Sequence, residues 1–313
     1  MKISVVIVTR NRRDDLKVSL DAFLRQTYPN KEIVLIDNAS TDGTREMIAQ
    51  DYPGIKYLWL PDNFDIRSIN LGIELSDGDI IWRTDDDSHP EKEDAFQKVA
   101  EIFRTQSDVH VIAMEDIEVK KNFEIWEWYP FKVDKENVPL NGYKSNFFPG
   151  AGAAIRKEVY HKIGGFWEFG VEEFDFCTRA IIAGFNVRYF PNIRVLHYAS
   201  PGDRNNPNRW IQISKQIIRY NWRYFPFCRA FGRTLLIFHF QVLVALFSGT
   251  PILAIIEGML TMKAVAISTF RKERNVVPKD KLYDITLGRG VLKGQIEFFK
   301  QKIRNKLSTW RKK

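Results

Sequence analysis

Three adjacent carboxylates, Asp85-Asp86-Asp87, follow the apolar run Ile80-Ile81-Trp82. Like charges this close repel, so the run costs free energy unless a cation offsets it. In an extended segment alternate side chains share a face, which lets Asp85 and Asp87 point at one site. Oxygen donors suit a hard ion such as Mg²⁺ or Mn²⁺, which takes a few carboxylates plus phosphate oxygens and keeps water. A solvated acidic loop is the plainer alternative. A second cluster, Glu172-Glu173-Phe174-Asp175, opens a predicted helix ending near Gly184. Acids in a first turn complement the helix dipole, and one of them can also serve as a general base for an attacking hydroxyl. Asp175 can instead hydrogen-bond within the helix or to the acceptor. The third group is Arg194-Val195-Leu196-His197-Tyr198, a predicted strand that ends on an imidazole able to ligate a metal or contact a diphosphate.

These residues need elements to position them. Ile3–Val8 is almost entirely β-branched, and Asp14–Gln26 carries Leu16, Leu20, Phe23 and Leu24 at helical spacing. Strands are predicted at Glu32–Ile36, Ile55–Leu60 and Asp79–Trp82. Helices are predicted from about Asp42, capped by Ser40 or Thr41, and over Ile66–Leu75. Such alternation, with strands apolar on both faces, predicts a mostly parallel sheet covered by helices, and ligands bind such sheets where strands end. The strand ends are Thr9-Arg10-Asn11-Arg12, Asp37-Asn38-Ala39-Ser40, Asp62-Asn63-Phe64-Asp65 and Asp85-Asp86-Asp87. Turn chemistry explains any one of them; four in succession point to a ligand. The first loop has no glycine, which argues against a dinucleotide-binding oxidoreductase, a phosphate-binding loop and a sugar nucleotidyltransferase.

The 313 residues, 44% hydrophobic and 27% charged, suit one large domain with or without an appendage. Cys177 and Cys228 are too few for a disulfide framework and fit a reducing compartment. Met1–Arg10 reads as a first strand rather than a signal peptide. The net charge of +8 is uneven: residues 263–313 hold 15 Lys/Arg against 4 Asp/Glu. Without zinc-finger spacing or an RNA-binding sheet signature, an anionic membrane surface is the expected partner of this tail and nucleic acid is not. The apolar stretches Leu235–Phe247 and Ile252–Ser268 are each shorter than the ~20 residues that span a bilayer. Interfacial helices or a shallow hairpin, packing against the preceding domain, and a kinked spanning helix all remain open.

Taken in order, these motifs resemble those of the inverting family 2 glycosyltransferases, especially bacterial rhamnosyl- and galactofuranosyltransferases. The resemblance rests on Thr9-Arg10-Asn11-Arg12, Ile33–Thr44, Asn70-Leu71-Gly72-Ile73, Gly78-Asp79, Asp85–Asp87, Gly164-Gly165-Phe166, Glu172–Asp175 and His197, and covers roughly residues 1–198. It implies an α/β GT-A fold, a Rossmann-like mixed sheet flanked by helices. The catalytic domain would be 1–200, with a helical, apolar and basic extension over 201–313. It also implies roles. Asp37 would contact the nucleobase, with Thr9, Arg10, Asn11, Asn38, Arg67 and Asp86 also on the nucleotide side. Asp85, Asp87 and His197 would hold Mn²⁺ or Mg²⁺ against the diphosphate. Glu173 falls where the family has an aspartate base, and Glu172 and Asp175 stay open as alternatives. Gly150 and Gly152 would bring backbone close to the sugars, and Trp167 would stack on the acceptor. The implied reaction is inverting transfer from a nucleotide-sugar donor to a glycan or lipid-linked saccharide. It would be carried out in the cytoplasm, peripherally at the inner face of the cell membrane. A sugar nucleotidyltransferase and a non-catalytic nucleotide-sugar binder are the competing expectations. dTDP-rhamnose, UDP-galactose, UDP-N-acetylglucosamine and GDP-mannose are all open as donors.

Overall fold

A computed structural model describes residues 1–120, 123–124, 133–167, 169–198, 207–248 and 252–289. The first half alternates as its hydrophobic pattern requires. Strands β1 (Ile3–Thr9), β2 (Lys31–Asn38), β3 (Lys56–Leu60) and β4 (Ile80–Asp85) are joined by α1 (Arg13–Leu24), α2 (Thr44–Asp51) and α3 (Ser68–Leu75). They lie parallel in the order β3-β2-β1-β4. The register sets Thr9 opposite Asp37 and Val8 opposite Asp85, so three of the polar strand ends meet at one edge.

Beyond β4 come β5 (Ser88–Pro90), α4 (Ala95–Thr105), β6 (Val111–Glu118), β7 (Phe123–Glu124), β8 (Tyr143–Lys144), β9 (Ala153–Arg156), α5 (Lys157–Ile163), α6 (Glu172–Ile182) and β10 (Val187–His197). The sheet continues β4-β9-β6-β10-β5, with β7 beside β6 and β8 beside β10. Because β9 is antiparallel to both β4 and β6, the sheet is mixed. Alternating side chains divide between two apolar layers. Val5, Ile7 and Trp82 join Phe23 and Phe96 on one face; Val6, Ile36 and Ile81 join Phe148, Phe166 and Phe176 on the other.

After β10 come α7 (Pro207–Tyr224), α8 (Phe227–Ser248) and α9 (Ile252–Lys272). Ile217, Ile218, Tyr220, Tyr224, Met262 and Ala266 belong to the same buried cluster as Phe176, Ala180 and Ile181. The helical extension therefore packs on α6, the helix with the second acidic cluster. Among the described residues no helix is long and apolar enough to cross a membrane. The domain boundary expected near 200 and the basic stretch 290–313 lie outside the described residues.

One local expectation is corrected. Neither Ser40 nor Thr41 caps α2, which starts at Thr44 after Gly43 at φ +86°. Asp42 does that work, its carboxylate accepting from the Thr44 amide (3.2 Å) and hydroxyl (2.6 Å). Ser40 Oγ instead accepts from the Asn11 amide at 2.9 Å and ties two strand-end loops together.

Candidate active site

Asp85 ends β4, Asp86 and Asp87 form the turn, and β5 leads away. The outer acids thus come together by a turn rather than by the alternation of an extended strand. β5 pairs antiparallel with β10, His197 opposite Ser88, and the Tyr198 amide donates to the Asp87 carbonyl at 2.8 Å. That register delivers His197 to the acids: ligand atoms of Asp85, Asp87 and His197 all lie within 4.8 Å of one another. His197 Nε2 is 3.4 Å from Asp87, and Nδ1 is 3.4 Å from buried Asp116 on β6. Burial disfavours the imidazolium, but Asp116 and Asp87 hold its pKa up at about 10. Two carboxylates and an imidazole backed by a further carboxylate make a donor set that fits a divalent cation, whose binding would displace the ring proton.

The middle acid is tied into the protein. Asp86 accepts from Thr9 Oγ1 (2.8 Å) and Arg12 Nη1 (3.0 Å), and Arg12 Nη1 also reaches Asp87 at 2.7 Å. Burial raises Asp86 to about 7; Arg12 opposes the rise and Asp87 adds to it. Asp85, by contrast, is 39% exposed and free to face a ligand.

Arg83, two residues before Asp85 on β4, is buried with its guanidinium 3.5 Å from Asp85 and 3.4 Å from Glu173. It joins the acidic turn to the start of α6. Gly150 lies in the same corner. A Cβ there would sit 3.0 Å from Asp85 Oδ2 and 3.1 Å from Glu173 Oε1, and would overlap Arg83 Nη1. Burial, reinforced by Glu172, pushes the Glu173 carboxyl upward against the pull of Arg83. Burial raises Glu172 too, although its Oε2 accepts the Gly170 amide at 2.5 Å. Asp175 is committed elsewhere: it accepts from Arg179 (2.7 Å), Tyr224 (2.7 Å) and Arg223 (3.2 Å). Of its two expected roles, hydrogen bonding is the one its contacts support, and it ties α6 to α7.

At the end of β2, Asp37 is buried, accepting from the Ser40 amide (2.8 Å) and Tyr57 Oη (2.7 Å). Asn38 donates to the Asp65 carbonyl (3.2 Å) and Ser68 Oγ (2.9 Å), holding the loop before α3. Asn11, at φ +51°, accepts from the Thr41 amide at 2.7 Å. Arg10 and Arg67 are exposed. Asp37 thus belongs to the same edge as Thr9 and Asp86, whereas Asn38 and Asn11 chiefly shape loops. A Cβ on Gly152 would meet Val195 at 2.8 Å and Met114 at 3.3 Å, in the core. Trp167 is 42% exposed and packs against the guanidiniums of Arg179 and Arg223, at 4.5 and 4.2 Å.

Arg83, Asp116 and Tyr57 are site residues that the motifs did not single out, and Arg12 stood in the first strand-end motif without a role of its own. Arg83 left a signal, since an arginine directly after the apolar run Ile80-Ile81-Trp82 on the same strand demands a carboxylate partner once buried. Asp116 left none, because its link to His197 depends on the pairing of β6 with β10.

Comparison with known proteins agrees with this architecture. The model of the family Glycosyl transferase family 2 matches residues 4–164. An uncharacterised glycosyltransferase of Nostoc sp. is 30% identical over 175 residues, covering 52% of this chain and 53% of that protein, so the chain spans about half the length of that relative. The O-antigen chain rhamnosyltransferase WbaN of Salmonella anatum is 24% identical over 220 residues, covering 61% and 68% of the two chains. Among solved structures, the mannosyltransferase PcManGT of Pyrobaculum calidifontis, in complex with GDP-Man and Mn²⁺, superposes with a TM-score of 0.54 at 18% identity, over 87% of this chain and 75% of that one. That likeness is one of fold, a curled mixed sheet with flanking helices of the GT-A kind. With the family model matching just over half of its residues and the acidic turn at its sheet edge, the chain belongs to the family 2 glycosyltransferases.

Proposed function

We propose that the chain transfers a sugar from a nucleoside-diphosphate sugar to a hydroxyl of a glycan or lipid-linked saccharide, with inversion at the anomeric carbon. One observation carries this reading: Arg83 lies between Asp85 of the acidic turn and Glu173 of α6, so cation ligands and a candidate base share one site. Asp85, Asp87 and His197 would hold Mn²⁺ or Mg²⁺. Bound there, the ion would offset charge on the leaving diphosphate. The Mn²⁺ and GDP-Man of the mannosyltransferase neighbour and the rhamnosyl specificity named for the Salmonella relative support the cofactor and donor classes. Asp37 would read the nucleobase from the end of β2. A Glu173 oxygen would take the acceptor proton as the hydroxyl attacks, and its raised proton affinity strengthens it as a base. A single displacement with one base inverts the centre.

The exposed rings of Phe227, Phe231 and Phe270, near the exposed cations Arg229, Arg271 and Lys272, favour a peripheral position on the anionic cytoplasmic face of a membrane.

The test is nucleoside diphosphate release across a panel of nucleotide sugars with Mn²⁺. Release is expected with one or a few donors, and Glu173→Gln lowers transfer by about 10²–10⁴-fold without loss of fold. No release from any donor would favour a non-catalytic binder. A fully active Glu173→Gln enzyme would remove the base assignment.

A further inference from the structure

Asn70-Leu71-Gly72-Ile73 and Gly164-Gly165-Phe166 meet at one contact, made by residues 96 positions apart. Asn70 is the third residue of α3, where an asparagine side chain commonly competes for the helix's own backbone. Here its amide is spent off the helix. Nδ2 donates to the Phe166 carbonyl at 2.8 Å, and Oδ1 accepts from the Phe166 amide at 2.8 Å. A primary amide sets a donor beside an acceptor, so it can pair with both backbone groups of one residue as a neighbouring strand would. Phe166 lies between α5 and α6, outside the sheet, where its backbone needs such a partner. Gly165 permits the approach, since a Cβ there would overlap Asn70 Oδ1.

The clamped segment touches the residues around Glu173. From its other side, Arg179 of α6 donates to the Ile163 carbonyl (2.7 Å) and the Gly165 carbonyl (2.8 Å), so residues 163–166 are held between α3 and α6. The buried Phe166 ring stacks on Phe176 at 4.8 Å and 23°, about one turn beyond Glu173 on α6. It also walls in Arg83, whose guanidinium is 5.8 Å from the ring centre and 3.4 Å from Glu173. α3 is pinned in turn at its start, where Asn38 of β2 donates to the Asp65 carbonyl and Ser68 Oγ. Hydrogen bonds thus run from the end of β2 through α3 to Phe166, and packing continues to Arg83 and the first turns of α6.

We propose that Asn70 is a positioning residue for the candidate base: by fixing Phe166 it sets where Arg83 and the start of α6 hold Glu173. The role given to Glu173 rests on the transferase reading above. An amide that only stabilised the fold would lower Tm and spare the chemistry. One that positions the base slows the chemistry in protein that is fully folded. Asn70 contacts no reacting group, so its effect passes through Glu173 and disappears once that carboxylate is gone.

Asn70→Ala removes the clamp, and Gly165→Ala pushes it apart from the other side. Each is measured in the full chain with Mn²⁺ and whichever nucleotide sugar of the panel turns over, alone and combined with Glu173→Gln. The readouts are kcat, donor KM and thermal unfolding. Each single variant should lose about 10–100-fold in kcat, the scale of a misplacement near 1 Å, with donor KM within about twofold of wild type. On the Glu173→Gln background the same substitutions should change the residual rate by less than about threefold. If one of the two does not fold, the other serves. The proposal is overturned if the folded variants keep the wild-type kcat, if the loss falls on donor KM instead, or if it recurs in full on the Glu173→Gln background. Wild-type turnover matched by the variants removes the Asn70 assignment alone. A wild type that turns over no donor removes the transferase reading, and the positioning role with it.

Discussion

Replacing Gly150 with alanine tests whether Arg83, Asp85 and Glu173 act as one unit. The added methyl would lie 3.0 Å from Asp85 Oδ2 and 3.1 Å from Glu173 Oε1, and would overlap Arg83 Nη1. A guanidinium usually swings aside cheaply. This one is only 2% exposed, with its plane 5.8 Å from the Phe166 ring, so it has little room to swing. Restoring van der Waals contact requires a shift of about 1 Å, and misplacement on that scale costs about 10²-fold in rate. Overpacking adds about 1–3 kcal/mol of strain, a fall of about 2–6 °C in Tm. The assay is nucleoside diphosphate release at saturating donor, alongside thermal unfolding. Gly54→Ala is the control, because a Cβ there meets nothing within 4 Å. A Gly150→Ala enzyme that loses stability as expected yet turns over within about twofold of wild type would refute the coupling, since strain without a rate loss means Arg83 need not be held in place.

Three substitutions separate structural acids from chemical ones. At the opposite end of the strands, Glu32 is held at about 2: burial opposes its charge, but Lys2, Ser4, the Asp77 amide and Lys56 overcome that. Its depressed pKa contributes stability that is fully present above an ordinary carboxylate pKa and is lost as pH falls toward 2. With solvent screening at Lys2 and Lys56, the contribution is about 1–3 kcal/mol. Urea unfolding of wild type and Glu32→Gln should show that gap at pH 7 and its narrowing by pH 3; a gap independent of pH would contradict the assignment. Asp175→Asn leaves Arg179 without its carboxylate and Arg223 with Glu273 alone, and should cost about 3–5 kcal/mol. Glu173→Gln should leave Tm within a few degrees while lowering transfer by about 10²–10⁴-fold. The reverse pattern would exchange their roles.

Much of this was legible in the chain itself. The first four strands show as short apolar runs, and polar strand ends mark the edge where Thr9, Asp37 and Asp85 meet. Tertiary pairing hides the rest. β10 runs eleven residues, but its pairing with β6 shifts register between Phe190 and Arg194, across Pro191 and Asn192, so only its last segment reads as a strand. β9 is four residues with two alanines, and its antiparallel place between β4 and β6 has no local signature. Helices over 207–272 follow from composition, whereas their packing on α6 depends on contacts such as Thr178 with Tyr220 (2.7 Å), formed over 42 positions of sequence.

The acids of this site are unequal, and their inequality bears on how it works. Asp85, Asp86, Asp87, Asp116, Glu172 and Glu173 crowd around Arg12, Arg83 and His197, twice as many carboxylates as cations. Without further positive charge such a cluster holds protons, as the raised pKa values of Asp86 and Asp116 indicate; burial leads in both, with neighbouring acids adding to it. Where the protons sit divides the labour. Asp86 is bound by Thr9 and Arg12 inside the protein, while Asp85 and Asp87 turn toward His197. A divalent cation among those three donors would relieve the repulsion at the turn and weaken the hold of Asp85 on Arg83. The guanidinium would then be freer to pair with Glu173, stabilising its ionised form when donor and ion are in place. On the proposed reading Arg83 would link occupancy of the leaving-group side to readiness of the base, and the glycine at 150 would keep that link short.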